Sequence, residues 1–240
     1  MRRALVVLAL LAILAGPAAS ATQPTITVYA ASSLTNVFPK IASYETYSFG
    51  GSNTLATQIE QGAPADVFAS ANMIIPQRLH GEGYCSKPIV FTRNRLVVVV
   101  PAANSANIKS IYGLTKSGVT VDIAAPKVPV GAYTQQVLKK LGLTDAVMKN
   151  VVSEEPDVRS VLSKVALGEV DAGFVYATDA RTVAGQVKVV GIPPRAQPVV
   201  RYGICVVSAS AHKAAARAFI NRVLGPIGQK QLLRAGFLSP

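Results

Sequence analysis

The chain has 240 residues, half of them hydrophobic, and 24 lysines and arginines against 12 acids give a formal charge of +12. That sign suggests nucleic acid first, but the cations are scattered and no aromatic–basic interleaving accompanies them, so no nucleic-acid partner is expected. A diffuse positive field suits the encounter of a small anion instead.

Residues 1–21 read as a secretory leader. Arg2 and Arg3 precede an apolar run from Ala4 to Ala15, Gly16-Pro17 breaks it, and Ala19-Ser20-Ala21 fits a cleavage site. The run is too short to span a bilayer, and no cysteine marks the cleavage region for a lipid anchor. About 219 residues remain after cleavage, the charge falls by two to +10, and no second run reaches transmembrane length. A soluble exported protein, periplasmic or otherwise extracytoplasmic, is expected.

Thr25–Ala30 is a β-branched run and reads as a strand, followed by Ser32-Ser33 and a helical stretch over 34–42 that Pro39 interrupts. Tyr47 and Phe49 belong to a second short strand. The next stretch, GGSNTLATQ at 50–58, places two glycines and a serine before a helix that Gly62 closes; such a turn is either a plain cap or an anion-binding turn. Asp66–Ala69 is a third strand, and residues 94–100 (NRLVVVV) form an unbroken apolar strand ended by Pro101, the pattern of burial on both faces. Farther on, 119–125 reads as a strand and 129–141 as a helix closed by Gly142. Pro156 suits the first turn of the next helix, on which Val158, Val161, Leu162 and Val165 share one face before Gly168 ends it. Strands follow at 172–177, 186–192 and 202–208, then two helices, the second after Gly225-Pro226.

Strand–helix alternation with apolar strands predicts an α/β protein with mostly parallel sheets flanked by helices. No low-complexity linker occurs, so two lobes would be joined by strands. The expected division is lobe I at 22–96 plus 204–240 and lobe II at 97–203. Its two-strand hinge crosses near 94–101 and 201–208.

Signs of catalysis are few. The two histidines, His80 and His212, sit in no metal-spaced cluster. Ser210-Ala-His-Lys213 is an isolated S-x-x-K at a helix cap, without the motifs that accompany it in serine acyl-enzymes. Cys85 and Cys205 are either bridged or two separate buried thiols. What recurs is a small polar residue or tight turn where a strand yields to a helix: Ser32-Ser33, Gly51-Ser52, residues 128–131, and residues 155–158. Such junctions lie at the carboxyl ends of parallel strands, where ligands bind, and expose unpaired N–H groups at the positive ends of helix dipoles.

In order along the chain, AASSLTNVF (30–38), GGSNTLATQIEQGAPADVFASA (50–71), NRLVVVVP (94–101), VPVGAY (128–133), EEPDVRSVL (154–162) and GFVYATDA (173–180) resemble the periplasmic molybdate-binding proteins of ABC importers. The resemblance covers nearly all of the chain after the leader. It implies a two-lobed periplasmic-binding-protein fold of the type II kind. A monomer without catalysis would close over molybdate or tungstate and deliver it to a membrane permease, with no cofactor and no metal bound other than within its oxyanion. Carried over by position, Ser33 and Ser52 would offer hydroxyls, Val130 and Val158 backbone N–H groups, and Tyr176 the hydroxyl that closes the cage. The chemistry agrees, since a tetrahedral dianion is all acceptor and needs only donors around it. Only residues 34–51 separate Ser33 from Ser52, a short crossover; distortion there would displace Ser52. Two other readings remain at this stage. One is another tetrahedral oxyanion such as sulfate. The other is a secreted serine hydrolase with Ser33 or Ser52 as nucleophile and His80, His212 or a buried lysine as base.

Overall fold

The computed structural model describes residues 24–240, so the leader lies outside the described residues. In chain order the elements are β1 (Thr27–Ala31), α1 (Phe38–Ile41), β2 (Thr46–Gly50), α2 (Ser52–Glu60), β3 (Val67–Ser70), α3 (Ile74–Gly81), β4 (Ile89–Asn94) and β5 (Leu96–Pro101). There follow β6 (Val121–Ala124), α4 (Pro129–Leu141), α5 (Thr144–Met148), β7 (Val151–Glu155), α6 (Val158–Leu167), β8 (Ala172–Tyr176) and α7 (Ala177–Thr182). The chain finishes with β9 (Val187–Val190), β10 (Val200–Val206), α8 (Lys213–Leu224) and α9 (Pro226–Ala235).

The strands form two five-stranded sheets, ordered β2-β1-β3-β10-β4 in lobe I and β7-β6-β8-β5-β9 in lobe II. Each has the same plan. Four strands run one way, and the fourth in spatial order, β10 or β5, runs against them and pairs antiparallel with both neighbours. The reversed strand of each sheet is the one adjoining a crossing from the other lobe. The first crossing is Arg95, the single residue between β4 and β5; Asn94 Oδ1 accepts its N–H at 2.9 Å. The apolar run over 94–100 is therefore two strands meeting at a lobe boundary, and β4 adds a strand that the sequence reading did not contain. The second crossing lies in 191–199. It does not fall at 201–208, because β10 belongs throughout to the lobe I sheet.

Local physics accounts for the other differences. The helix anticipated over 34–42 is confined to Phe38–Ile41. Ser32–Leu34 makes a 3-10 turn instead, in which Thr35 gives both its N–H and its hydroxyl to the Ser32 carbonyl. Pro39, lacking an N–H, is tolerated only in the first turn. Despite its shortness this edge is regular. Every residue of β2 is in register with β1, and the Tyr47 hydroxyl donates to the Ala42 carbonyl at 2.6 Å. Tyr47 also stacks on Phe49, centroids 5.3 Å apart. Ser52 is accordingly held in place. Pro156 lies just outside its helix, because Asp157 takes the cap and accepts the N–H groups of Arg159 and Ser160.

Lobe I is centred on tilted aromatics, with Phe91 5.8 Å from Phe38 and Phe237 5.6 Å from Tyr202. All four are buried, each worth roughly 1.5–3 kcal/mol of transfer free energy. Cys85 and Cys205 are free thiols in one small buried cluster. Hydrogen bonding to Cys85, reinforced by burial, holds Cys205 protonated.

Candidate functional site

Between the lobes lies a small cavity built from four strand-to-helix junctions and the end of β8. Ser33, Ser52, Val130, Val158 and Tyr176, far apart in sequence, all line it, and all are buried. Ser33 sits in the turn after β1. Ser52 is the first residue of α2, Val158 the first of α6, and Val130 the second of α4. N–H groups in a first helical turn have no acceptor within the helix. Three helix starts therefore converge on one space, each bringing roughly half a positive charge of macrodipole. Glycine permits two of the approaches. A Cβ on Gly131 would stand 2.2 Å from the Ala125 carbonyl oxygen, and one on Gly51 would stand 2.3 Å from the Pro156 carbonyl oxygen of the opposite lobe.

The hydroxyls are aimed by their neighbours. Ser52 Oγ accepts the Ala71 N–H at 3.1 Å, which leaves its own proton to donate. Asn94, its amide oriented by the Arg95 N–H, donates Nδ2 to Thr178 Oγ1 at 2.9 Å and to Tyr202 Oη at 3.4 Å. Tyr202 Oη thus accepts from Asn94 and shares a hydrogen bond of 2.9 Å with Ser33 Oγ, in which either hydroxyl can donate; with Tyr202 donating, the Ser33 proton is free for the cavity. Tyr176 packs its ring 5.7 Å from Tyr202, and its buried hydroxyl has no partner in the protein. Burial, above all, raises the pKa of both tyrosines well above its ordinary value, so both stay protonated donors.

Charge is kept off the cavity. Asp157 is the one acidic or basic side chain among the described residues on its wall, and its carboxylate is turned back onto the N–H groups of its own helix. Arg159 faces Asp179 with its Nε at 3.0 Å. Burial raises the Asp179 pKa to about 6 against the pull of that arginine. Neither candidate serine meets a base. His80 Nδ1 is 2.9 Å from the Cys85 carbonyl, and His212 Nδ1 is 3.3 Å from Asp66. Ser210, of the S-x-x-K, gives its hydroxyl to Asp66 at 2.6 Å, tying the start of α8 to β3. Among the described residues no cluster of side chains could hold a bare metal ion.

Residues 26–238 match the family of bacterial extracellular solute-binding proteins. The chain belongs to that family. It is 37% identical over 239 residues to the molybdate-binding protein ModA of Mycobacterium tuberculosis, covering 93% of this chain and 90% of that protein. The solute-binding fold recurs in the Azotobacter vinelandii periplasmic molybdate-binding protein, with a TM-score of 0.78 at 24% identity over 90% of this chain and 99% of that one. It recurs as well in the sulfate-binding protein SubI of Mycobacterium tuberculosis, with a TM-score of 0.77 at 21% identity over 89% and 86%. Within this solute-binding protein, sequence reasoning missed Asn94 and Tyr202, which orient Ser33. The available signal was a polar residue opening each of two apolar runs, Asn94 before residues 96–100 and Tyr202 before residues 203–207.

Proposed function

We propose that this protein is exported, captures molybdate and also tungstate between its lobes, and delivers the oxyanion to an ABC permease, acting by binding and release without catalysis. Ser33, Ser52 and Tyr176 supply hydroxyls, and Val130 and Val158 backbone N–H groups. The observation that carries this reading is the Tyr176 hydroxyl, a protonated donor buried without a partner on the wall of a cavity otherwise lined by aimed donors. A buried polar group left unpaired costs about 1–3 kcal/mol, and an acceptor-only ligand satisfies it. Fixed neutral donors stabilise a dianion without a counter-charge, and their directions set the cavity size that separates large tetrahedral oxyanions from sulfate. The two lobes, divided at Arg95 and within 191–199, would open about these crossings to admit and release the ligand. Relatives named as molybdate-binding proteins support this choice of ligand.

Isothermal titration with molybdate, tungstate and sulfate tests it. Tight, one-to-one binding of the first two with weak or no sulfate binding is expected. Tight sulfate binding with no molybdate signal would overturn the assignment.

A further inference from the structure

Beside the oxyanion cavity, and sharing Ser33 as a wall, a larger space opens between the lobes. Lobe I contributes Lys40 and Arg234, lobe II contributes Arg159 and Arg181, and no carboxylate belongs to its lining. Arg159 is committed. It faces Asp179, donates Nη1 to Thr182 at 3.1 Å, and reaches across the lobes to donate Nη2 to Asn36 Oδ1 at 2.7 Å. The other three cations are exposed and enter no ion pair among the described residues. Clustered like charges repel, and three of them lining one pocket favour an anion there.

We propose that this pocket is a second anion site, which takes a multivalent oxyanion with more than one tetrahedral centre, of the diphosphate class. Two features select that class over a single tetrahedral ion. The space is much the larger of the two, and its cations are long flexible side chains instead of fixed N–H groups. Because the cations come from both lobes, an anion between them holds the lobes together. It therefore favours the closed form, and by linkage it strengthens binding in the cage. That coupling rests on the proposed molybdate function; the site itself does not.

Inorganic pyrophosphate is the probe, titrated calorimetrically into the full mature protein, both ligand-free and saturated with molybdate. One-site binding under both conditions is expected, weakened at least tenfold in the double variant Lys40→Ala/Arg234→Ala. Both side chains are exposed and outside the oxyanion cavity, so the variant should melt and bind molybdate as the parent does without pyrophosphate. Absence of pyrophosphate binding, binding unchanged in the variant, or competition with molybdate for one stoichiometric site would each overturn the proposal. Pyrophosphate binding that leaves molybdate affinity unchanged would overturn the bridging of the lobes. A protein that takes pyrophosphate but no molybdate at all would refute the proposed function and leave this site standing.

Discussion

A serine hydroxyl has one proton to give, and the groups already on its oxygen decide where that proton goes. Ser52 Oγ is occupied by the Ala71 N–H, so Ser52→Ala removes two things at once: the donor proposed for the ligand and the acceptor of a buried N–H. Molybdate affinity should fall by roughly 1.5–3 kcal/mol, the range for a hydrogen bond to a charged group, and unfolding free energy by about 1–3 kcal/mol for the orphaned N–H. Calorimetric titration and urea unfolding read the two separately, and unchanged affinity would remove Ser52 from the cage. Tyr202 is a positioning residue, acting through Ser33. Tyr202→Phe keeps the ring contacts with Phe91 and Tyr176 but removes the hydroxyl that bonds Ser33 Oγ and that, when it donates, turns the Ser33 proton inward. An affinity loss of about 0.5–1.5 kcal/mol is expected, with Asn94 still bonded to Thr178 and the melting temperature nearly unchanged. Full affinity in this variant would show that Ser33 needs no such orientation.

At the scale of elements, legibility followed the strength of local signals. Helix α4 occupies the residues expected of it because Pro129 starts it and Gly142, in the left-handed region at φ 67°, stops it. The start of α6 was read two residues early, since Asp157 as a side-chain cap outranks Pro156 as a first-turn residue. The short helices α3, α5 and α7 had no apolar period long enough to announce them. Strand β6 carries a feature that no pattern could show. Asp122 is fully buried within it, and both its carboxylate oxygens lack partners. Burial, then the neighbouring Glu155, raises its pKa from 3.8 to about 7, against the pull of Lys164. Between about pH 4 and 7 the folded protein holds a proton that the unfolded chain has released. Stability therefore falls as pH rises through that window, by up to about 1.4 kcal/mol per pH unit. Asp122→Asn should remove its share of this slope, that of Asp179 remaining, and leave the variant more stable relative to the parent at pH 8 than at pH 5. Thermal melts at the two pH values check the sign, and a parent that gains stability from pH 5 to 8 relative to the variant would refute it.

For the molecule as a whole, the sequence indicated two α/β lobes joined by extended crossings, because apolar strands alternated with helices and no linker intervened. Which sheet a crossing strand joins was not legible. The long apolar runs at 94–101 and 202–208 look alike, yet Arg95 divides the first between two sheets while the second stays in lobe I. Nor could the sequence show how closely the lobes meet, which depends on contacts between segments a hundred residues apart. Gly51 measures that approach. Its φ of −62° and ψ of 130° are open to any residue, so alanine strains no backbone. Within lobe I its Cβ asks only the Asn53 side chain, 3.0 Å away at Oδ1, to give by a few tenths of an ångström. With the lobes closed, however, an alanine Cβ would lie 2.3 Å from the Pro156 carbonyl oxygen, well inside contact distance. Backbone cannot yield as a flexible side chain can, so closure must stop short, and Val158, two residues beyond Pro156, stops with it. Gly51→Ala should leave the ligand-free melting temperature unchanged and weaken molybdate binding at least tenfold, about 1.4 kcal/mol. In X-ray scattering, the compaction that molybdate produces in the parent should be reduced. Parental affinity together with parental compaction would show that the lobes can close without the space Gly51 leaves.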